Sequence, residues 1–452
     1  MNQVIIIGAG FSGVAAAKKL HEAAIPFLLV EARERLGGRV YTKQISEELY
    51  LDLGGQWIGP SQDRMYALCK SYSLEYFETY DQGYNVLDLK KQVKKFKGLI
   101  PNLDLFSLIN LDFVLKKLER LAKTIPEDSP WLHPKALEFD QVSLAAFVAK
   151  HCKTKSCQKV ITLALETVFA AELNEVSLLH ALFYFKSGRD LNTLINIKNG
   201  AQLHRIAGGM QTLVERMAQP FMEQIKFNHP VDRIRKEDGV FTVKGEGFSY
   251  KAKKIIMAIP PILAGKINFH PMLSSAKRQV MDRIAMGQVG KCFMVYQKPF
   301  WRESGFSGQA FADEHSPFQS MFDASPKEAD FGIMLAFTIG NRAKAYFENT
   351  KEKRKAIMLS KLVAYFGKDA ELPMLYEDFS MTDEAWSRGC YAGIYPTGAW
   401  TGFQDAYSKT ENDIYWAGTE ASKVWFGYIE GAVRAGETAA DNILSDLKQP
   451  LQ

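Results

Sequence analysis

The chain has 452 residues, 47% apolar and 24% charged, a globular and not a disordered composition. Single domains run about 100–200 residues, so two or more are expected. The net charge of +5 is small for this length, and no simple tract or internal repeat is visible, which disfavours nucleic-acid-binding and repeat proteins.

The N-terminus is expected to enter a strand at once, and no signal peptide is expected. Residues 4–7 form a β-branched run, predicted as a central parallel strand buried on both faces. A GxGxxG turn follows as Gly8, Gly10 and Gly13. Gly8 suits the tight turn, Gly10 the approach of a pyrophosphate, and Gly13 close helix–strand packing. A helix is predicted over 12–23, whose N-terminus favours an anion. A second strand over 27–30 ends at Glu31, where a carboxylate can bind both ribose hydroxyls. That acid disfavours NADP and leaves NAD and FAD open. Beyond it lie Arg33, Gly37, Gly38 and Arg39. A double glycine and arginine so placed resemble the second phosphate contact of the FAD-containing amine oxidase superfamily.

The stretch NVLDLKKQVKKFKG is predicted as two short strands joined by a solvated, lysine-rich turn. Residues 104–124 repeat Leu, Ile and Phe at helical spacing and are expected as a packed helix. Cys69, Cys152, Cys157, Cys292 and Cys390 are scattered, odd in number and without a CxxC pair. Neither a disulfide framework nor a metal site is expected, and a reducing, cytoplasmic setting fits. Residues 231–261 alternate like a small antiparallel sheet that returns to a buried strand. No run reaches the about 18 apolar residues of a membrane helix. The end, DNILSDLKQPLQ, is expected to close a helix and stop.

LDLGGQWIGPSQDR (51–64) is similar to the flavin-edge segment of monoamine oxidases, and IPEDSPW, AELNEVS, NGAQ, GGMQTLVERM, AIPP and WAGTEAS extend the resemblance in order along the chain. It implies an α/β fold: a Rossmann-like, glutathione-reductase-like FAD-binding domain interleaved with an α+β substrate-binding domain. The FAD domain would take 1–76, 207–281 and 384–452, and the substrate domain 77–206 and 282–383. Mitochondrial members carry a C-terminal membrane anchor, which is not expected here. A homodimer is left open.

The same resemblance assigns a site. Gly55 and Gln56 fall beside the flavin, Val231 at the adenine, and Gly418, Thr419 and Glu420 in the last cofactor motif. In SRGCYAGIYPTG, Cys390 falls on the cysteine bonded to the flavin 8α-methyl, and Tyr391 on one wall of an aromatic cage. Tyr428 matches the second wall. Because adjacent residues of a strand point to opposite faces, an unusual peptide, cis among the options, is expected between Cys390 and Tyr391. Two tyrosine faces form an apolar slot that disfavours a stranded charge and orients a neutral amine. Lys291 sits in an apolar, strand-like stretch, where a lysine is costly unless used; in the family this lysine assists reoxidation by oxygen. Ile195 and Gln202 match cavity residues. Thr167 and Val168 take two further wall positions with different side chains, and Trp57 stands where mitochondrial enzymes have tyrosine. The arginine by which amino-acid oxidases of the family hold a carboxylate is not found near Trp57.

The leading expectation is an FAD-dependent amine oxidase acting on a small primary monoamine and O2. The alternatives are a polyamine, diamine or L-amino-acid oxidase, a flavin desaturase of the same superfamily, and a non-catalytic FAD-binding module.

Overall fold

A computed structural model describes residues 2–98, 101–327 and 331–448. Among these, two large sheets organise the chain. The first has a parallel centre, in the order Ile225–Lys226, Phe27–Val30, Asn2–Ile7, Phe248–Met257 and Ile414–Trp416. Val4 to Ile7 are all buried, as a strand with parallel neighbours on both edges and packing on both faces requires. Ile5 and Ile7 enter one apolar core and Val4 and Ile6 another, following the period-two alternation of a strand. The predicted helix forms as Phe11–Glu22.

The alternating stretch after Val231 folds as expected. Arg233–Glu237, Val240–Gly245 and Phe248–Met257 pair antiparallel in sequence, and the last of them turns into the buried parallel centre.

The second sheet runs in the order Leu375–Ser380, Val289–Tyr296, Gly332–Ile339, Ser320–Asp323, Phe306–Ala312, Tyr84–Leu89 and Gln92–Phe96. Its outer hairpin is the predicted lysine-rich one. Lys90 and Lys91 both have positive φ, 54° and 63°, the signature of a two-residue turn whose twist matches the flanking strands. Every residue of Val289–Tyr296 is buried, Lys291 included.

The helix expected over 104–124 is found at Leu105–Thr124, capped by Asp104, which accepts from the Ser107 N–H at 2.9 Å. Leu111, Val114, Leu118 and Ala122 pack inward. Leu105, Phe106, Ile109 and Phe113 instead face solvent, so the helix is packed on one stripe only. Its apolar residues are more numerous than one buried stripe can hold. The last helix, Ile429–Lys448, accounts for most of the terminal segment, and residues 449–452 lie outside the described residues. No described helix is long and apolar enough to cross a membrane.

Candidate active site

One cavity of about 1000 Å³ lies between these elements. Of the residues singled out in the sequence, all but Gly13 and Glu420 line it. Those two stand one layer behind the wall, for different reasons. A Cβ on Gly13 would meet the carbonyl oxygen of Gly8 at 1.9 Å, so its missing side chain lets the helix abut the strand. Gly10 differs: its Cβ would find nothing closer than 3.7 Å. The protein alone does not require glycine there, whereas a ligand approaching the backbone would.

The first helix begins at Gly10 with no side-chain cap, leaving its N-terminal N–H groups facing the cavity wall. Glu31, at the end of the second strand, is buried. It accepts from the Ala9 N–H at 2.7 Å and the Arg33 N–H at 3.0 Å. Arg33 reaches across to Glu384 at 2.5 Å and the Ser387 hydroxyl at 2.8 Å, tying the nucleotide turn to the segment before Cys390.

Arg39 is held by Glu420. Its two terminal nitrogens donate to the carboxylate at 2.5 and 3.0 Å, and one of them also donates to the Tyr391 carbonyl at 3.0 Å. Glu420, which the resemblance places in the last cofactor motif, stands behind Arg39.

Lys291 is buried, and its ammonium donates to the carbonyls of Asp52 and Gly54 at 2.8 and 2.7 Å and to Gln56 Oε1 at 2.5 Å. Burial pulls it down to about 7, partly offset by Asp52 and Cys390. Three oxygens around one nitrogen favour the charged form. Gln56 Nε2, on the other side of that amide, is buried and has no partner.

Cys390 and Tyr391 are joined by a cis peptide. The Cys390 thiol is pushed up to about 11 by burial, while Arg39 and Lys291 draw it down. Tyr391 and Tyr428 are both half-buried at the cavity wall. Burial raises both phenols above the ordinary tyrosine range. Tyr428 is fixed from two sides, by Trp425 edge-on at 4.8 Å and by Tyr184 at 6.0 Å between ring centroids. Neither supporting ring was found from sequence. Tyr184 lies in Leu178–Ser187, a helix apolar nearly all round, where one more aromatic carries no signal.

Trp57, Thr167, Val168, Ile195 and Gln202 share the cavity with the tyrosines. Trp57 stacks on Phe337 at 5.8 Å and meets Phe322 edge-on at 5.5 Å. Thr167 turns its hydroxyl back to the Leu163 carbonyl at 2.8 Å, and Gln202 donates to the Leu194 carbonyl at 3.1 Å. Both donors are thereby held by backbone carbonyls. Sequence reasoning also missed Asp81, a cavity carboxyl raised by burial and drawn down by Lys198 beside it.

The model of the family described as flavin containing amine oxidoreductase matches residues 11–444. The chain belongs to that family. It is 33% identical to amine oxidase [flavin-containing] B of Sus scrofa over 447 residues, covering 98% of this chain and 86% of the relative. The Homo sapiens amine oxidase B is likewise 33% identical, over 451 residues with the same shares covered. Among solved structures, cyclohexylamine oxidase from Brevibacterium oxydans IH-35A superposes with a TM-score of 0.95 at 30% identity, covering 99% of this chain and 100% of that one. Wild-type putrescine oxidase bound to putrescine gives 0.93 at 30% identity, with 98% and 99% covered.

As a flavin amine oxidase the chain implies FAD, and the residues present fit it. Gly10 leaves room a ligand would fill, the first helix is uncapped, and the Gln56 amide aims an unpartnered donor into a buried setting. Glu31 lies on the same cavity as Lys291, Cys390 and both tyrosines, so the cavity runs from the nucleotide turn to the tyrosines.

Proposed function

We propose that this flavin amine oxidase deaminates small primary monoamines of the alkyl or aryl-alkyl kind: RCH2NH2, O2 and water give an aldehyde, ammonia and hydrogen peroxide. The observation that carries this reading is the pairing of Tyr391 and Tyr428 with apolar walls at Trp57, Val168 and Ile195 in one cavity. FAD supplies the hydride acceptor and the route of electrons to oxygen.

The chain's own residues do the rest. Glu31, Arg33, Gly38, Gly55, Gln56, Val231, Gly418 and Thr419 hold the cofactor, with Gly8 and Gly10 opening its approach. Arg39 braces the backbone at Tyr391, with Glu420 behind it. Cys390 is the covalent anchor; burial holds its thiol protonated, and the positive charges of Arg39 and Lys291 offset part of that. Tyr391 and Tyr428 form an apolar slot that lowers the proton affinity of a bound ammonium, so that the neutral amine presents its α-carbon. Thr167 and Gln202, donating to the carbonyls of Leu163 and Leu194, shape the slot without adding charge. Lys291 places a positive charge where oxygen is reduced.

We assign 1–76, 207–281 and 384–452 to FAD binding and 77–206 and 282–383 to the substrate. The first sheet draws its strands from residues 2–30, 225–270 and 414–416, and the second from 84–96 and 289–380, which supports that division.

A diamine is the second reading. Asp81 lines the cavity and could hold a distal ammonium, although Lys198 already opposes that role; putrescine oxidase is also among the similar structures. A panel of benzylamine, tyramine, cyclohexylamine and putrescine, read by peroxide release, decides. Turnover confined to putrescine would overturn the monoamine reading.

A further inference from the structure

Cys152 and Cys157 lie away from the cavity, yet their Sγ atoms are only 3.3 Å apart. Both are buried free thiols. Cys152 ends the helix Leu144–His151, and Cys157 sits in the first turn of Lys155–Phe169. The link between them is pinned from several sides. Thr154 accepts from the Cys157 N–H at 3.2 Å and meets the Ser107 hydroxyl at 2.7 Å. Asn110 donates to the His151 carbonyl at 2.9 Å and accepts from the Lys153 N–H at 2.5 Å. The sulfurs are therefore brought together by a junction of three helices. Among the described residues no third His, Cys, Asp or Glu joins them into a metal-holding group, which removes a zinc site as the reason for the pair.

We propose that Cys152 and Cys157 are a reversible redox pair, oxidised by a peroxide to a disulfide that ties the two helices together. Cys152, 9% exposed against 0% for Cys157, is the thiol the oxidant meets. Its sulfur attacks a peroxide oxygen. An S–O bond forms, the O–O bond breaks, and the thiol proton leaves with the departing oxygen as water. The Cys157 sulfur then attacks the Cys152 sulfur. The S–S bond forms, the S–O bond breaks, and the second thiol proton leaves with that oxygen as a second water. The pair gives up two electrons and one peroxide is reduced to two waters.

Burial, then the neighbouring Cys157, holds the Cys152 thiol at about 12, so little thiolate exists near neutrality and the step is slow. Lys155–Phe169 also presents Ile161, Ala164, Thr167 and Val168 to the cavity, so the cross-link would anchor one end of a cavity wall.

The test treats the purified holoprotein with stepwise hydrogen peroxide, blocks remaining thiols under denaturing conditions, and maps peptides by mass. The expected result is a peptide pair joined through Cys152 and Cys157, two thiols fewer than in the reduced protein, and full reversal by dithiothreitol. Cys152→Ser and Cys157→Ala should each abolish the cross-link. If both thiols in the unsubstituted chain stay free while methionines oxidise, or if each proceeds separately to sulfinic acid, the proposal fails. That mapping uses the unsubstituted protein and added peroxide, so it depends neither on the folding of a variant nor on amine turnover.

Discussion

Arg39 grips Glu420 through both terminal nitrogens and the Tyr391 carbonyl through one of them. The same carboxylate accepts the Gly393 N–H at 3.0 Å. The backbone on both sides of Ala392 is thereby tied to one buried ion pair, and Tyr391 is aimed from behind.

Glu420→Ala should therefore destabilise the protein by about 3–5 kcal/mol, since it leaves a guanidinium uncompensated in a largely buried place. Glu420→Gln keeps an acceptor for Arg39 and should cost less. Chemical denaturation of the two variants checks the order. Equal stability of both with the parent would remove the bracing role.

Gly10 and Gly13 should separate cofactor binding from folding. A methyl at Gly10 meets no protein atom closer than 3.7 Å, so Gly10→Ala should fold but purify with little FAD. A methyl at Gly13 runs into the Gly8 carbonyl at 1.9 Å, so Gly13→Ala should lose folded protein itself. Flavin content and circular dichroism, measured together, report the two effects.

Lys291 sets a pH dependence of known sign. Its folded value of about 7 lies below the ordinary 10.5. Between those values the unfolded chain binds a proton that the folded chain does not. Stability from this side chain therefore rises as pH increases from 7 to 10.5 and is level below 7. Lys291→Met should flatten that slope and slow flavin reoxidation far more than reduction. Equal slowing of the two half-reactions in stopped flow would argue against a role with oxygen.

For Tyr391 and Tyr428 the expected signature lies in flavin reduction by amine. A free alkylamine resembles a lysine with a value near 10.4, and the apolar slot should lower it on binding. The anaerobic reduction rate should climb with pH through one ionisation below that of the free amine. Replacing both tyrosines by alanine, which opens the slot to water, should lower the rate and move the ionisation back upward. A rate flat across alkaline pH points to a different substrate class.

Cys390→Ala should release the flavin into the supernatant after acid precipitation while retaining some turnover. The unsubstituted protein should keep it in the pellet.

What could be read from sequence was mostly local. The nucleotide turn was legible because strand, glycines, helix and acid all lie within residues 2–31, and the Lys90–Lys91 turn because it is two residues long. Lys291 stood out because a charge interrupts an apolar strand. The brace behind Tyr391 was not legible: Arg39 and Glu420 are 381 positions apart, and nothing in either neighbourhood names the other. Tyr184 and Trp425 were hidden for the opposite reason, as aromatics among many. The helix Leu105–Thr124 was recognised, but periodicity could not show that Phe106 and Ile109 would remain uncovered.

The glycine-turn strand Asn2–Ile7 pairs with Phe27–Val30 on one side and Phe248–Met257 on the other, and the sheet is completed by Ile414–Trp416. Ser12, at the start of the first helix, accepts the N–H of Gly418 at 2.8 Å. Ribosomes add about 5–20 residues per second, so the earliest part of this site waits roughly 20–80 s for its last strand to be made. During that interval Phe248–Met257 lacks its Ile414–Trp416 edge partner and the first helix lacks its contact with Gly418. A pocket lined by both Gly8 and Gly418 is thus complete only once the segment around Gly418, 406 positions beyond Ser12, has been made.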